Sequence, residues 1–140
     1  MPGIDACLEE AMGLPGARGA AIVDWTSGLA LGTAGQSPNG DHEATAAETA
    51  ELARAAAEYT AFVPLPSLQQ PDRGAAAGGD KGPPVEDLIV TTRTGYHILC
   101  FVETTFDSSV FLHLWLDRDT GNLALARLRL RQLAERMVLG

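Results

Sequence analysis

Two short apolar segments flank a polar tripeptide at 26–28 (TSG), and this arrangement limits the possible folds more than any other part of the sequence. Segments 17–25 (ARGAAIVDW) and 29–35 (LALGTAG) consist mainly of small and branched apolar residues, as buried β-strands do. Glycine supplies the positive φ that a tight hairpin turn requires. We therefore predict a β-hairpin with Asp24 at the end of its first strand and Ser27-Gly28 in its turn.

The C-terminal half contains three further strand segments. Segments 85–93 (VEDLIVTTR) and 96–103 (YHILCFVE) flank Thr94-Gly95, a second hairpin signal, and 110–117 (VFLHLWLD) follows. Consecutive strands joined by tight turns form an antiparallel sheet, and strands that are apolar on both faces need helices on both sides.

Three segments have the pattern of helices. Apolar residues recur at helical spacing over 4–14, which Pro15-Gly16 ends. Residues 41–62 are mostly strong helix formers, with one apolar stripe at Leu52, Ala56, Tyr59 and Phe62. The last helix carries an apolar stripe of Leu123, Ala126, Leu130, Leu133 and Met137. Its four arginines lie off this stripe: Arg127, Arg129, Arg131 and Arg136.

Composition excludes several classes of partner and site. The net charge of −8 argues against nucleic acid or an anionic membrane surface as the main partner. No apolar run approaches the ~20 residues of a membrane span, so we expect a cytoplasmic protein. Cys7 and Cys100 lie in separate apolar segments without a CxxC motif, and we predict two buried free thiols.

The sequence contains no recognisable catalytic, cofactor-binding or metal-binding motif. The G-x-S-x-G pattern is absent, and glycines 13, 16 and 19 lack the lysine and Ser/Thr of a phosphate-binding loop, so the chain is not itself a GTPase. His97 and His113 could meet across neighbouring strands. Lone strand histidines are core-edge or interface residues more often than metal ligands, and we predict no metal site.

The segment 63–84 (VPLPSLQQPDRGAAAGGDKGPP) separates the two halves of the chain. It holds five of the eight prolines and four glycines, which favours a flexible connection over a helix or strand. Neither side is complete alone, so we expect one domain over 1–140 that contains this loop.

The order of elements, with LPGARGAAIVDWTSGLAL and the closing NLALARLRLRQLAERM, resembles the bacterial, GTPase-associated branch of the Roadblock/dynein light chain family. The matching residues are the Pro15-Gly16 turn, the small-residue strand ending in Asp24, the turn glycine Gly28 and the second strand at 29–31. The resemblance covers nearly the whole chain except 63–84. It implies an α+β fold in the order α-β-β-α-β-β-β-α, with a five-stranded antiparallel sheet, one long helix on one face and two helices on the other.

The resemblance also implies a function. Such domains are non-catalytic, form homodimers through sheet-edge and long-helix contacts, and regulate the nucleotide cycle of small Ras-like GTPases. Residues Glu51, Arg54 and Glu58 form a second stripe on the long helix. This stripe is either a solvated face with local i,i+3 and i,i+4 ion pairs, worth a few tenths of a kcal/mol, or the surface that meets the GTPase.

Three questions stay open at this point. The alternative to a GTPase regulator is a small-molecule sensor with a pocket near Tyr59, His97 and Cys100. The edge strand that forms the dimer is not indicated. The basic C-terminal helix could contact an acidic partner or balance the acidic remainder of the chain within a dimer, since residues 1–117 hold 16 acidic and 5 basic side chains.

Overall fold

The computed structural model describes residues 3–62, 85–102 and 109–139, and the predicted loop at 63–84 lies outside the described residues. The helices are α1 (Ile4–Met12), α2 (His42–Glu58), a 3₁₀ turn (Thr60–Phe62) and α3 (Leu123–Leu139). The strands are β1 (Ala17–Asp24), β2 (Leu29–Gly35), β3 (Asp87–Thr91), β4 (Gly95–Val102) and β5 (Val110–Asp117). The predicted order α-β-β-α-β-β-β-α is confirmed.

The five strands form one antiparallel sheet in the order β2-β1-β5-β4-β3. β1 and β5 pair directly, so the N-terminal hairpin joins the C-terminal three strands through the middle of the sheet. β2 and β3 are therefore the two edge strands. The predicted five-stranded antiparallel sheet is confirmed.

The two faces of the sheet carry separate apolar cores. α1 and α3 cover one face, where they pack on residues that include Ile22, Ile98 and Leu114. α2 covers part of the other face through Ala46, Ala50 and Ala53. These alanines pack among larger side chains of the sheet, which are Val23, Leu99, Phe101 and Phe111. One helix on one face and two on the other agree with the arrangement predicted from the sequence.

The β1–β2 hairpin has the predicted turn. Gly28 has a φ of 77°, and its N–H donates to the Asp24 carbonyl at 2.8 Å. The Asp24 carboxylate accepts hydrogen bonds from the N–H and hydroxyl of Thr26 and from the hydroxyl of Ser109. Burial acts to raise the pKa of Asp24, but the hydrogen bonds outweigh it and hold that pKa below its ordinary value. The segment from Asp24 to Gly28 is thus a turn that side-chain and backbone hydrogen bonds hold in place.

Two helices are shorter than predicted at their C-termini. α1 ends at Met12, because Gly13 closes it with backbone hydrogen bonds to the preceding turn. α2 begins after Asp41, whose side chain caps the N–H groups of Glu43 and Ala44, but it ends at Glu58 instead of residue 62. Tyr59 adopts an extended conformation, since the aromatic and β-branched residues that follow are weaker helix formers than the alanines before them.

Three of the four arginines of α3 pair with acidic residues of the same chain. Arg127 binds Asp87 at 2.6 Å, Arg131 binds Glu86 at 2.9 Å, and Arg136 binds Glu10. Ion pairs at the solvent-exposed surface contribute little to stability, because water and salt screen them. Within the single chain, the basic helix therefore balances acidic residues at the start of β3 and on α1.

Candidate partner-binding surface

α2 lies over β1 and β2, and its two sides are directed toward different parts of the fold. On one side, the Arg54 guanidinium donates from Nε and Nη2 to the Trp25 carbonyl at 3.3 and 2.9 Å, which directs this side toward the β1–β2 hairpin. On the other side, His42 and Thr45 line a small cavity together with His113 of β5. The second side of α2 therefore faces the β5 half of the sheet.

The predicted stripe Glu51, Arg54 and Glu58 lies on the hairpin side of α2, and its members differ in role. Glu51 and Glu58 are exposed, whereas Arg54 is half-buried and fastens the helix to Trp25. The expected ion pairs among the three are not formed, because the pairs found in the described ranges all involve α3. The exposed part of this stripe is therefore purely acidic.

The opposite side of α2 carries the apolar stripe. Leu52 is 44% exposed, Tyr59 59% and Phe62, in the 3₁₀ turn, 50%. Residues 45, 52 and 59 are spaced by two helical turns and share a side, so Leu52 and Tyr59 face the same half of the sheet as Thr45. Large exposed apolar side chains along one side of a helix make that side a candidate for a partner interface.

The sheet supplies the second wall of this surface. Val90 of β3 pairs with His97 of β4, and His97 pairs in turn with Trp115 of β5. Val90 is 38% exposed, and the two rings are half-buried. We use the name α2–β3 groove for the α2 side of the sheet between this helix and the β3 edge, with Leu52 and Tyr59 along the helix and Val90, His97 and Trp115 on the strands.

Two histidines meet on this side of the sheet, as their strand positions predicted. His97 Nδ1 lies 3.0 Å from His113 Nε2, and the rings stack with centroids 5.2 Å apart. His97 also stacks on Trp115 at an interplanar angle of 2°, and the Arg18 guanidinium lies over that indole, 4.3 Å from its centroid. The four side chains form a column across β1, β5 and β4.

The histidine pair makes stability depend on pH. Burial, with smaller contributions from His97 and His42, lowers the pKa of His113 to about 3, and burial also lowers the pKa of His97. Below a pH of about 6.5 the unfolded chain takes up a proton on His113 that the folded chain does not accept, so the free energy of unfolding falls as the pH falls. We expect a loss of about 2 kcal/mol between pH 7 and pH 5 from His113 alone.

Urea unfolding at a series of pH values measures this loss. His113→Gln removes the titrating group and keeps a side chain that can hydrogen-bond to His97, so its stability should change less over the same range. Above pH 5 the acidic side chains Asp24 and Asp117, whose pKa values lie below the ordinary value, stay ionised and do not contribute. An equal pH dependence in the variant and the parent would contradict the assignment to His113.

The residues of the predicted sensor pocket do not converge. Cys100 is buried on the α1/α3 face of the sheet, whereas His97 and Tyr59 lie on the α2 side. The cavity between α2 and His113 has a volume of about 10 Å³, which holds at most one water molecule. Within the described ranges, no group of three or more metal-ligating side chains is assembled, and no helix could cross a membrane.

The two sheet edges differ in their suitability for pairing with a second strand. β3 keeps an unbroken register with β4 from Asp87 to Thr91. β2 has a register shift opposite Ile22 and Val23 that leaves Leu31 out of the pairing, and such bulges are a common device against edge-to-edge association. β3 is the better edge, and it also borders the α2–β3 groove.

Sequence reasoning missed the sheet side of this groove. The helical pattern grouped Leu52, Ala56, Tyr59 and Phe62, but it did not assign Val90 or the β3 edge to an interface. The signal in the sequence was the run from Leu88 to Val90, which is entirely apolar. Which strand is at an edge depends on the strand order, which local sequence patterns do not contain.

Three solved structures from bacteria share this fold. Myxococcus xanthus MglB is 20% identical, with a TM-score of 0.69 over 96% of this chain and 84% of that chain. A Roadblock/LC7 domain from Streptomyces avermitilis is 18% identical, with a TM-score of 0.57 over 95% and 92%. The gliding protein mglB from Thermus thermophilus is 17% identical, with a TM-score of 0.61 over 92% and 81%.

No protein-family model and no curated protein matches the chain. At these identities the solved structures establish the fold. The Roadblock/LC7 fold that the sequence pattern led us to expect is confirmed.

Proposed function

We propose that this chain, which has the Roadblock/LC7 fold, is a cytoplasmic homodimeric adaptor that binds a small Ras-like GTPase and modulates its nucleotide cycle without catalysing a reaction of its own. We assign residues 1–140 to one domain of that family. The observation that carries the proposal is the exposed surface of α2 within this fold, which presents an apolar stripe on one side and an acidic stripe on the other.

The proposed dimer forms through β3. Antiparallel pairing of two β3 strands about a twofold axis would join the sheets into one and satisfy the free backbone groups of both edges. The same operation would bring the α2 helix of the second copy toward the α2–β3 groove. Exposed Leu52, Tyr59 and Val90 supply the apolar area for that contact.

The GTPase then meets the paired long helices. Glu51 and Glu58 lie on the side of α2 away from the α2–β3 groove, so they would stay accessible in the dimer and appear in two copies. Acidic side chains of this kind attract a basic surface and orient it during encounter. Arg54 is held by the Trp25 carbonyl, which supports a role in positioning α2 and gives no support to an arginine inserted into the nucleotide site.

Regulation would follow from a shift of population. An adaptor that binds the catalytically ordered state of the GTPase loops more tightly than the other states increases the occupancy of that state. A tenfold preference corresponds to about 1.4 kcal/mol of differential binding. This mechanism requires contacts that distinguish the two states and no catalytic residue from the adaptor.

The test is a nucleotide assay with a Ras-like GTPase encoded in the same genome. We expect the chain to change either the rate of GTP hydrolysis or the rate of nucleotide release, and the two rates separate an activator from an exchange regulator. If a complex forms but both rates are unchanged, the chain would act only as a scaffold for the GTPase and would not regulate its nucleotide cycle. No complex with any such GTPase would contradict the proposal itself.

A further inference from the structure

A groove on the α1/α3 face lies apart from the surface described above. It has a volume of about 360 Å³ and runs between the turn after α1 and the outer side of α3. Leu14 and Pro15 form one wall, and Leu125 and Leu133 supply apolar area on the other. The sheet separates this groove from the α2–β3 groove, because α1 and α3 pack on the opposite face.

One continuous face of α3 lines the groove. Leu125, Arg129, Gln132 and Arg136 are all lining residues, and they follow the i, i+4, i+7, i+11 spacing of a single helical stripe. At about 1.5 Å per residue this face is about 16 Å long. Helical ligands that bind in grooves present their anchors at the same spacings, so the shape suits an amphipathic helix.

The charge of the groove favours a ligand with negative charge. Arg136 and Glu10 bind each other at the rim and cancel. Arg129 is exposed and makes no hydrogen bond or ion pair with the described part of the chain, unlike Arg127 and Arg131 on the same helix. The groove therefore offers one unpaired guanidinium beside an apolar surface, in a chain whose net charge of −8 otherwise repels acidic ligands.

We propose that the groove between α1 and α3 binds an acidic amphipathic helix of a partner protein, with a carboxylate of that helix on Arg129 and its apolar side chains on Leu14, Pro15 and Leu125. A carboxylate and a guanidinium form a strong, charge-assisted contact when they meet beside apolar surface. The proposal does not rest on GTPase binding or on the dimer.

The test uses a short fluorescein-labelled synthetic helical peptide with leucine on one face and glutamate on its flanks, compared with the same peptide carrying lysine for glutamate. Fluorescence anisotropy should show binding of the acidic peptide and not of the basic one. Arg129→Glu should weaken binding by at least about tenfold. The matched control is Arg93→Glu, the same charge change in the β3–β4 turn at a residue that does not line the groove, which should leave the affinity unchanged.

Arg129 has no partner among the described residues, so its substitution removes no described contact that holds the fold. Absence of binding by the parent protein, preference for the basic peptide, or equal weakening by Arg93→Glu would each overturn the proposal. Sedimentation with phosphatidylglycerol vesicles in place of peptide binding would overturn it as well, since a membrane would then be the ligand. Peptide binding that persists when the GTPase assay fails would show that the two proposals are independent.

Discussion

Val90→Glu is expected to convert the proposed dimer into a monomer. Val90 belongs to an edge strand with an unbroken register and is 38% exposed in the single chain. Pairing of two β3 strands would bury this position in both copies, so one substitution places two carboxylates in the same interface. Burying unpaired charges costs several kcal/mol, and we expect the dissociation constant to rise by at least about a hundredfold.

The matched control is Leu31→Glu on the other edge. Leu31 is 49% exposed and lies at the register shift of β2, so it receives the same charge without entering the proposed interface. Analytical ultracentrifugation over a range of concentrations should give a monomer for Val90→Glu and a dimer for Leu31→Glu. The reverse result would move the interface to β2 and would contradict the assignment of the α2–β3 groove.

Replacing both Glu51 and Glu58 with arginine is expected to lower the affinity for the GTP-bound GTPase by about a hundredfold at low salt. The two side chains are exposed on one side of α2 and have no ionic partner within the described residues. In a dimer the double substitution reverses four charges on the surface proposed for the GTPase. Most of the loss should appear in the association rate and should shrink at high salt.

The control for this variant is Glu9→Arg with Glu135→Arg, which gives the same charge change at exposed positions on α1 and α3. Surface plasmon resonance with the immobilised GTPase measures both rates. The control should bind as the parent does, and both variants should remain dimeric. Equal losses of affinity in the two variants would show that the change in net charge causes the effect. Glu51 and Glu58 would then not belong to the interface.

The elements with strong local signals were predictable from the sequence. The β1–β2 hairpin depends on Gly28, whose positive φ and backbone bond to Asp24 are properties of the turn itself. The buried face of α3 follows from the spacing of Ala126, Leu130 and Leu133, which are all buried. Such features involve residues close in the chain, so pattern and propensity suffice to find them.

The features that depend on the assembled sheet were not predictable in the same way. Arg54 was placed with Glu51 and Glu58 by helical periodicity, yet its guanidinium reaches Trp25, 29 positions away in the chain. The partners of the α3 arginines lie 40 to 126 positions away. Long-range contacts of this kind follow from the packing of α3 on β4 and α1, which the local pattern does not specify.

The contact between His97 and His113 is intermediate between these cases. Both residues fall in strands that the sequence places next to each other, so their meeting could be anticipated. Their pKa values could not, because those values depend on how deeply the assembled sheet and α2 bury the two rings. The burial of the two rings in the folded chain therefore makes the contact between His97 and His113 a pH-dependent contribution to stability.

The most direct test of the account is light scattering on a size-exclusion column, with and without a co-encoded Ras-like GTPase in its two nucleotide states. We expect a dimer that co-elutes with the GTPase loaded with a non-hydrolysable GTP analogue and not with its GDP form. A stable monomer that ignores the GTPase in both states would contradict it.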